Sequence, residues 1–590
     1  MLLDREAGYL AATLGVSPDQ IKVILLLVLS IPLALVFPFL PSTTRSSLQY
    51  WYSLVPAVVF LCATLDLARG FVELVCDSVA TWLIVKVGVR QRWGKRMPWT
   101  VFTVVMGHLA YNHIQRQLDG NDGVQQIEIT GSQMVLTMKL ISFAWSVHDG
   151  QLAIDKLDPT QRQSRIERVP NLLQFMGYSL FFPSILAGPS YTYRSYDSFT
   201  SKRLFLKETS TTLVPEIITS RDIPAGRKRK AAKRFATALV FLAIYSTYGT
   251  QFGMDRLLDR KFVDQNNLIK RIAFMNLAGF VARTKYYAVW CMAETAFIVA
   301  GLGYNPQTRH YDASRNVRIT SIELAPNFKV LLDSWNMNTN VWLRECIYKR
   351  VAKTGKKPGF KSTQITFITS ALWHGFNPCY LLTFVLGGFA QSLGRLLRNH
   401  VRPFVLPPGS TTTTKTSPPS RATPAPFPSV KIDPSSSSSS APTTTTTAVV
   451  KVRAPPQTRV KTLYDVVGIA STQLVLNFAV TPFLLLDVSR TVQAWRSVGF
   501  YGLLMVFVPT VLFNLGLKGV LKTRIKRRDQ LAVRTKDEDE VERKRLEWER
   551  FEEEKRLRRG EGVPGIGMDI ETMMDEERKL AEKSQQLKDE

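Results

Sequence analysis

Cysteine is scarce. The 590 residues hold five, Cys62, Cys76, Cys291, Cys346 and Cys379, scattered, odd in number and never in a C-x-x-C pair. That spacing excludes a disulfide framework and a structural zinc site. Several fall inside apolar blocks, where a free cysteine behaves as a small hydrophobe. Histidine is also rare, at six. Acidic residues are outnumbered, 48 Asp and Glu against 76 Lys and Arg, for a formal charge of +28. No basic stretch comes with a recognisable nucleic-acid-reading element, so no nucleic-acid partner is expected. A signal-peptide layout is missing too. Asp4, Arg5 and Glu6 precede a weakly apolar stretch, and the first long apolar run starts near Lys22. No internal repeat stands out of the kind that inverted-topology transporters carry.

What the chain has instead is long apolar blocks with charge between them. A helix crosses a bilayer with about 20 apolar residues. Residues 22–40, 50–69, 71–88, 98–112, 133–147, 171–190, 234–253, 268–282, 285–303, 376–397, 462–486 and 497–517 are candidates. The expected fold class is all-α, a polytopic membrane helical bundle of about eleven transmembrane helices. Asp66, Glu73, Asp77 and Glu294 lie inside these blocks. Ionisable groups at that depth are costly and face the protein interior, so the bundle is expected to have a polar inside.

The rest of the chain divides by composition. Residues 1–403 read as the membrane core. Residues 404–460 contain Thr411–Thr414, Ser435–Ser440 and Thr443–Thr447 among many prolines, and are expected to be a disordered linker. Residues 461–521 form a two-crossing hairpin, and 522–590 a charged tail whose Asp537–Arg559 run has opposite charges at i,i+4 spacing, suited to a solvated helix. Both flanks of the hairpin are basic, Lys451, Arg453, Arg459 and Lys461 on one side and Lys522 to Arg528 on the other. The positive-inside rule places linker and tail in the cytosol.

The stretch richest in chemistry is 333–379. It begins with a polar and aromatic mix, Trp335, Asn336, Asn338, Thr339, Trp342, Arg344 and Glu345, suited to a membrane-surface helix or the wall of a site. A basic loop follows, Lys349, Arg350, Lys353, Lys356, Lys357 and Lys361. Residues 362–376 then turn apolar and end in Ser370-Ala-Leu-Trp-His-Gly-Phe376, which puts His374 at the end of an apolar segment. From Lys361 to His374 a helix would rise about 20 Å, far into a hydrocarbon core about 30 Å thick. A neutral imidazole there can accept a proton from a hydroxyl within reach, or it can be a hydrogen-bonded structural histidine. His108, His113, His148, His310 and His400 have no comparable setting and are assigned no role.

Trp335-Asn-x-x-Thr339-x-x-Trp342-Leu, followed by Ser370-Ala-Leu-Trp-His-Gly375, resembles the membrane-bound O-acyltransferase family. The closer resemblance is to its fungal-type, broad-specificity lysophospholipid acyltransferase branch. Two further blocks agree: Pro183-Ser-Ile-Leu-Ala-Gly-Pro-Ser190 with Tyr191 and Tyr193, and Lys285-Tyr-Tyr-Ala-Val-Trp290 with Glu294 and Gly301-Leu-Gly-Tyr-Asn305. The resemblance implies transfer of an acyl chain from acyl-CoA to the hydroxyl of a lysophospholipid in the endoplasmic reticulum membrane. No bound cofactor or metal is implied. His374 would be the general base and Asn336 the second catalytic residue, with Asn338 a competitor for that role. Substrate contacts are expected from Trp335, Asn338, Thr339, Arg344, Glu345, Lys349, Arg350 and Trp373. The basic loop would meet the phosphates of coenzyme A. Sterol, diacylglycerol or protein acceptors remain alternatives within the family, and a transporter or scaffold outside it. Head group, preferred acyl chain, acylated position and oligomeric state stay open.

Overall fold

The computed structural model describes residues 2–14, 17–44, 46–119, 128–206, 223–352, 358–407, 458–559 and 578. They are helical almost throughout. Among them the strands are the two-residue pair Tyr304–Asn305 and His310–Tyr311, antiparallel, with Tyr304 opposite Tyr311. The chain splits into one unit of Met1–Leu406 and Thr414–Gly519 and a second of Pro407–Thr413 and Val520–Glu590.

Two large apolar cores fill the larger unit, beside a small cluster of Ala7, Ala11 and Ile21. The first gathers side chains from the helices Leu48–Val58, Ala68–Arg90, Arg96–Leu118 and Thr130–Gly150 and from the segment around 175–205. The second gathers Arg227–Tyr248, Leu268–Ala300, Pro378–His400, Arg459–Ala479 and Tyr501–Leu512. The helix Pro18–Ala34 serves both, sending Leu26 into the first and the next residue, Leu27, into the second. Its start is set by Ser17, whose hydroxyl accepts from the Gln20 amide, and by Pro18, whose missing N–H would have had no partner in a first turn.

Four helices are long and apolar enough to cross a membrane among the described residues: Pro18–Phe39, Pro378–His400, Arg459–Leu485 and Tyr501–Lys555. Several other expected spans are helices of sufficient length but mixed polarity, such as Ala68–Arg90, Arg96–Leu118 and Thr130–Gly150. The polar interior is there for Asp77 and Glu294, which are buried, and Glu73, which is half-buried, whereas Asp66 is exposed in the turn after Thr64, at φ +60°. Asp77 accepts from Gln133 (3.1 Å) and pairs with His108 (2.7 Å), while Asn112 donates to Glu73 and to Gln133 (2.9 Å each).

Two expected spans are corrected. Residues 171–190 do not form one crossing helix. They form Leu172–Ser179 and Phe182–Ile185, because Pro183 starts a new helix and the chain then turns at Gly188 (φ +77°). Eight helical residues rise about 12 Å, well short of a bilayer. Residues 268–282 and 285–303, expected as separate spans, are one 33-residue helix, Leu268–Ala300. The polar interruption at Arg283 does not break the backbone, because its guanidinium is paired with both carboxylate oxygens of Glu323 (2.9 and 2.7 Å) and with Asn477 (2.5 Å). Asn267 caps this helix and Gly301, in the left-handed region at φ +105°, ends it.

The tail helix runs Lys518–Arg559, longer than the expected Asp537–Arg559, and carries exposed i,i+4 pairs such as Arg534–Glu538 and Arg545–Glu549. Residues 408–457, most of the expected linker, lie outside the described residues.

Candidate active site

The helix Phe360–His374 begins after Gly359 and runs to the histidine. Its threonines do not disturb it, since Thr363, Thr366 and Thr369 bond back to carbonyls four residues earlier (3.1, 2.7 and 2.8 Å). It stops because Gly375 adopts φ +136°, and a Cβ there would come within 3.0 Å of the Tyr380 ring. His374 is therefore the last helical residue, half-buried, with its ring in an aromatic cage. Phe384 stacks at 5.0 Å, Phe483 meets it edge-on at 5.1 Å, Trp373 lies at 4.7 Å and Tyr380 at 5.9 Å. Among the described residues the imidazole makes no hydrogen bond. Such a group in aromatic surroundings wants a functional explanation.

The neighbouring residue is pinned on two sides. The Trp373 indole donates to the Met134 carbonyl (2.9 Å), and the Trp373 carbonyl accepts from His113 Nε2 (3.2 Å). Asn377 then starts the next helix by accepting from the Cys379 amide (2.9 Å) and ties it to Leu486 O (2.9 Å).

Asn336 sits at the head of the short helix Met337–Trp342 in the left-handed region, at φ 40° and ψ 57°. Asparagine tolerates that conformation better than most residues. Its side chain makes no capping bond, nor any other hydrogen bond among the described residues, and it is half-buried. Asn338, its competitor, is engaged: its amide nitrogen and its Nδ2 both donate to Asn316 Oδ1 (3.2 and 3.0 Å). Trp335 packs among Trp290, Tyr286 and Tyr287 at 5.0, 5.7 and 5.9 Å, so two separate sequence blocks meet here. No hydrogen bond joins Asn336 to His374.

A cavity of about 310 Å³ opens beside this segment, walled by Pro189 to Thr192 on one side and by Asn338, Trp342, Arg344, Glu345 and Arg350 on another. Four wall residues carry a buried polar atom without a hydrogen-bond partner: Trp145 Nε1, Gln163 Oε1, Ser314 Oγ and Trp342 Nε1. Arg315 is also in the wall, and its guanidinium makes no hydrogen bond or ion pair among the described residues. Trp342 lies 5.9 Å from Trp373, so the wall reaches the residue next to His374.

The expected substrate contacts divide. Asn338, Arg344, Glu345 and Arg350 line the cavity; Trp335, Thr339, Lys349 and Trp373 do not. Thr339 is buried against Met138 Sδ (3.2 Å). Of the described cations of this segment, Arg344, Lys349 and Arg350 are already paired, while Lys361 is exposed at the start of the Phe360–His374 helix. Arg350 grips both oxygens of Asp149 (2.9 and 2.5 Å) over the Trp145 ring, Arg344 bonds Glu345 (2.9 Å), and Lys349 bridges Glu345 (2.6 Å) and Asp158 (2.7 Å). Burial works to raise the Asp158 carboxyl, but Lys349 and the amides of Gln161 and Thr160 outweigh it and hold the group below the usual carboxylate range. Lys353, Lys356 and Lys357 lie outside the described residues. Sequence reasoning missed Trp145, Gln163, Ser314 and Arg315, which belong to no motif. It also missed the cage residues Phe384 and Phe483.

The family model of the membrane-bound O-acyltransferase family matches residues 93–414, which include Asn336, His374 and most of the cavity wall. The chain belongs to the membrane-bound O-acyltransferase family. It is 32% identical over 531 residues to a protein of Schizosaccharomyces pombe named lysophospholipid acyltransferase, covering 89% of this chain and 92% of that one. A protein of the same name from Saccharomyces cerevisiae is 34% identical over 526 residues, covering 85% and 75%. Membrane-bound glycerophospholipid O-acyltransferase 2 of Rattus norvegicus is 26% identical over 450 residues, covering 75% and 74%. Phe483 and Leu486 lie beyond the family match, yet they touch the His374 cage and the Asn377 turn. The C-terminal hairpin therefore contributes to the surroundings of His374.

Proposed function

We propose that this protein is a lysophospholipid acyltransferase, moving a fatty acyl chain from acyl-CoA to the free hydroxyl of a lysophospholipid, with His374 as general base. The observation that carries this reading is the His374 imidazole, free of hydrogen bonds among the described residues in an aromatic cage, one residue from a tryptophan pair that reaches a cavity with polar atoms unpartnered among those residues. The names of the relatives and the family membership support the reaction class.

The neutral imidazole takes the proton of the lipid hydroxyl as its oxygen attacks the thioester carbonyl. The carbonyl becomes an oxyanion, and the Asn336 amide, which has no hydrogen-bond partner among the described residues, is the donor offered to it. Collapse expels the coenzyme A thiolate, which takes the proton back from the imidazolium and leaves as thiol. No acyl-enzyme is needed. Cys346 and Cys379 are buried, and the thioester is already activated. Holding both substrates and the imidazole together away from water supplies most of the rate. Arg315, whose guanidinium makes no hydrogen bond or ion pair among the described residues, is offered to the donor's phosphates in place of the paired Arg344, Lys349 and Arg350. The bundle lies in the endoplasmic reticulum membrane, with mixed-polarity helices packed inside and the tail in the cytosol.

The test is acyl transfer in membranes carrying the wild type or His374→Ala at equal level. Labelled oleoyl-CoA is supplied with a panel of lysophospholipids, and with cholesterol and diacylglycerol as controls. Diacyl phospholipid from the wild type and none from the variant is the expected result. Equal activity in both removes His374 from the chemistry, and product only from a control acceptor replaces the lysophospholipid.

A further inference from the structure

We infer that His113 is a second histidine of the reaction centre, a positioning residue that holds His374 through the backbone carbonyl of Trp373. The inference rests on the reading of His374 as the base.

The last carbonyls of a helix have no partner within it, and a helix that ends beside a catalytic group needs them fixed from outside. The Phe360–His374 helix ends in that situation. Its Trp373 carbonyl lies 3.2 Å from His113 Nε2. A carbonyl only accepts, so Nε2 carries the proton and donates. His113 is 7% exposed, and its other ring nitrogen faces Gly375: a Cβ on that glycine would stand 3.6 Å from His113 Nδ1. The ring thus covers the turn on both sides of His374, touching the residue before it and the residue after it.

His113 is itself held in place. It belongs to the helix Arg96–Leu118, whose rotation is fixed one residue earlier by Asn112, bonded to Glu73 and Gln133, and one turn earlier by His108, paired with Asp77. From the opposite side the Trp373 indole donates to Met134 O, on the Thr130–Gly150 helix. Two hydrogen bonds from two different helices therefore fix one residue, Trp373, whose neighbour carries the base. A base displaced by about 1 Å loses on the order of 100-fold in rate, which is what such a clamp protects against.

The two ring nitrogens can be tested separately. The Gln amide nitrogen falls near the Nε2 position, and the Asn amide nitrogen near Nδ1. We would express His113→Gln, His113→Asn, His113→Leu and His374→Ala in the full-length chain. Activity would be measured per folded enzyme, taken from the monodisperse peak in detergent, with kcat and both KM values. H113N and H113L should lower kcat about 10- to 100-fold with both KM values within about twofold, while H113Q keeps at least about half of wild-type kcat. H113N as active as wild type overturns the inference, as does H113Q no better than H113N, or a loss carried by KM. Should H113L fail to accumulate, H113Q against H113N decides alone, since both keep a polar amide. An active H374A overturns the base reading and this inference with it. An inactive H374A beside an active H113N overturns only this one.

Discussion

Trp342 and Trp373 stand with ring centroids 5.9 Å apart and planes tilted by 47°, the first in the wall of the cavity and the second next to His374. Their indole nitrogens differ in a way that separates binding from folding. Trp373 Nε1 donates to Met134 O, whereas Trp342 Nε1 is buried without a partner. Removing a donor that makes no bond relieves a desolvated group, whereas removing one that makes a bond leaves a carbonyl unsatisfied at about 1–3 kcal/mol. Trp342→Phe is therefore expected to leave the thermal unfolding midpoint in detergent unchanged or slightly raised, and to raise a substrate KM about 5- to 30-fold if that N–H serves a ligand. Trp373→Phe is expected to lower the midpoint. A lowered midpoint and unchanged KM in Trp342→Phe would make its indole structural.

Asn336 and Asn338 give the second contrast. Among the described residues the side chain of Asn336 has no hydrogen bond, while Asn338 is bonded to Asn316. Asn336→Ala is expected to lower kcat by about 100- to 1000-fold, the usual effect of losing an oxyanion donor. Its left-handed backbone adds a stability cost of about 1–2 kcal/mol, which Asn336→Gly avoids while also removing the amide. Asn338→Ala is expected to act mainly on stability. Single-turnover rates beside unfolding midpoints check both, and a larger rate loss in Asn338→Ala would exchange their roles.

How much of this was legible in the sequence varies with the distance the signal had to travel. The Trp-Asn and Trp-His-Gly segments carry the site residues in short runs, and the Lys285–Trp290 block meets Trp335 in space as its aromatic content allows. The cage around His374 comes from Phe384 and Phe483, and the second of these is over a hundred residues away, so no local pattern announces it. His113 has an ordinary helical setting, and its partner carbonyl is 260 residues on. Hydropathy counts apolar side chains and misjudged two places where backbone and pairing decide. Pro183 and Gly188 split an apolar run, and the Arg283–Glu323 pair keeps a polar stretch helical. Lys349 and Arg350 looked available for phosphates because two of the carboxylates that pair with them, Asp158 and Asp149, lie about two hundred residues upstream.

The Asp158–Lys349 pair makes stability depend on acid. The folded carboxyl is held below its ordinary value of about 3.9, so its contribution is fully present above that value and is lost as pH falls through the folded value. Unfolding midpoints in detergent are expected to be level near neutrality and to fall below about pH 4. Asp158→Asn should have a lower midpoint than wild type at pH 7 and converge with it in acid. A constant difference across the titration would mean that the pair contributes nothing through its charge.

Arg315 and Arg350 face the same cavity in opposite electrostatic states, and they should fail in opposite ways. Arg350 is paired bidentately with Asp149, whose side chain is 2% exposed, so Arg350→Ala strands a buried carboxylate at a cost of about 3–5 kcal/mol. Its main effect should be a lower unfolding midpoint and less enzyme in the membrane. Arg315 has no hydrogen bond or ion pair to lose among the described residues, and its longer-range attraction to buried Glu294 is shared with the directly bonded Arg234, so Arg315→Ala should lower the midpoint far less than Arg350→Ala. If it meets a phosphate of the donor, its removal weakens a charge-assisted contact of about 1.5–3 kcal/mol, a rise in the acyl-CoA KM of about 10- to 150-fold. Raising the salt concentration should then increase the wild-type KM more steeply than that of Arg315→Ala, because the variant has one screened contact fewer. Measuring acyl-CoA KM for both proteins at two salt concentrations decides it: parallel salt responses with an unchanged KM would take Arg315 out of the donor site.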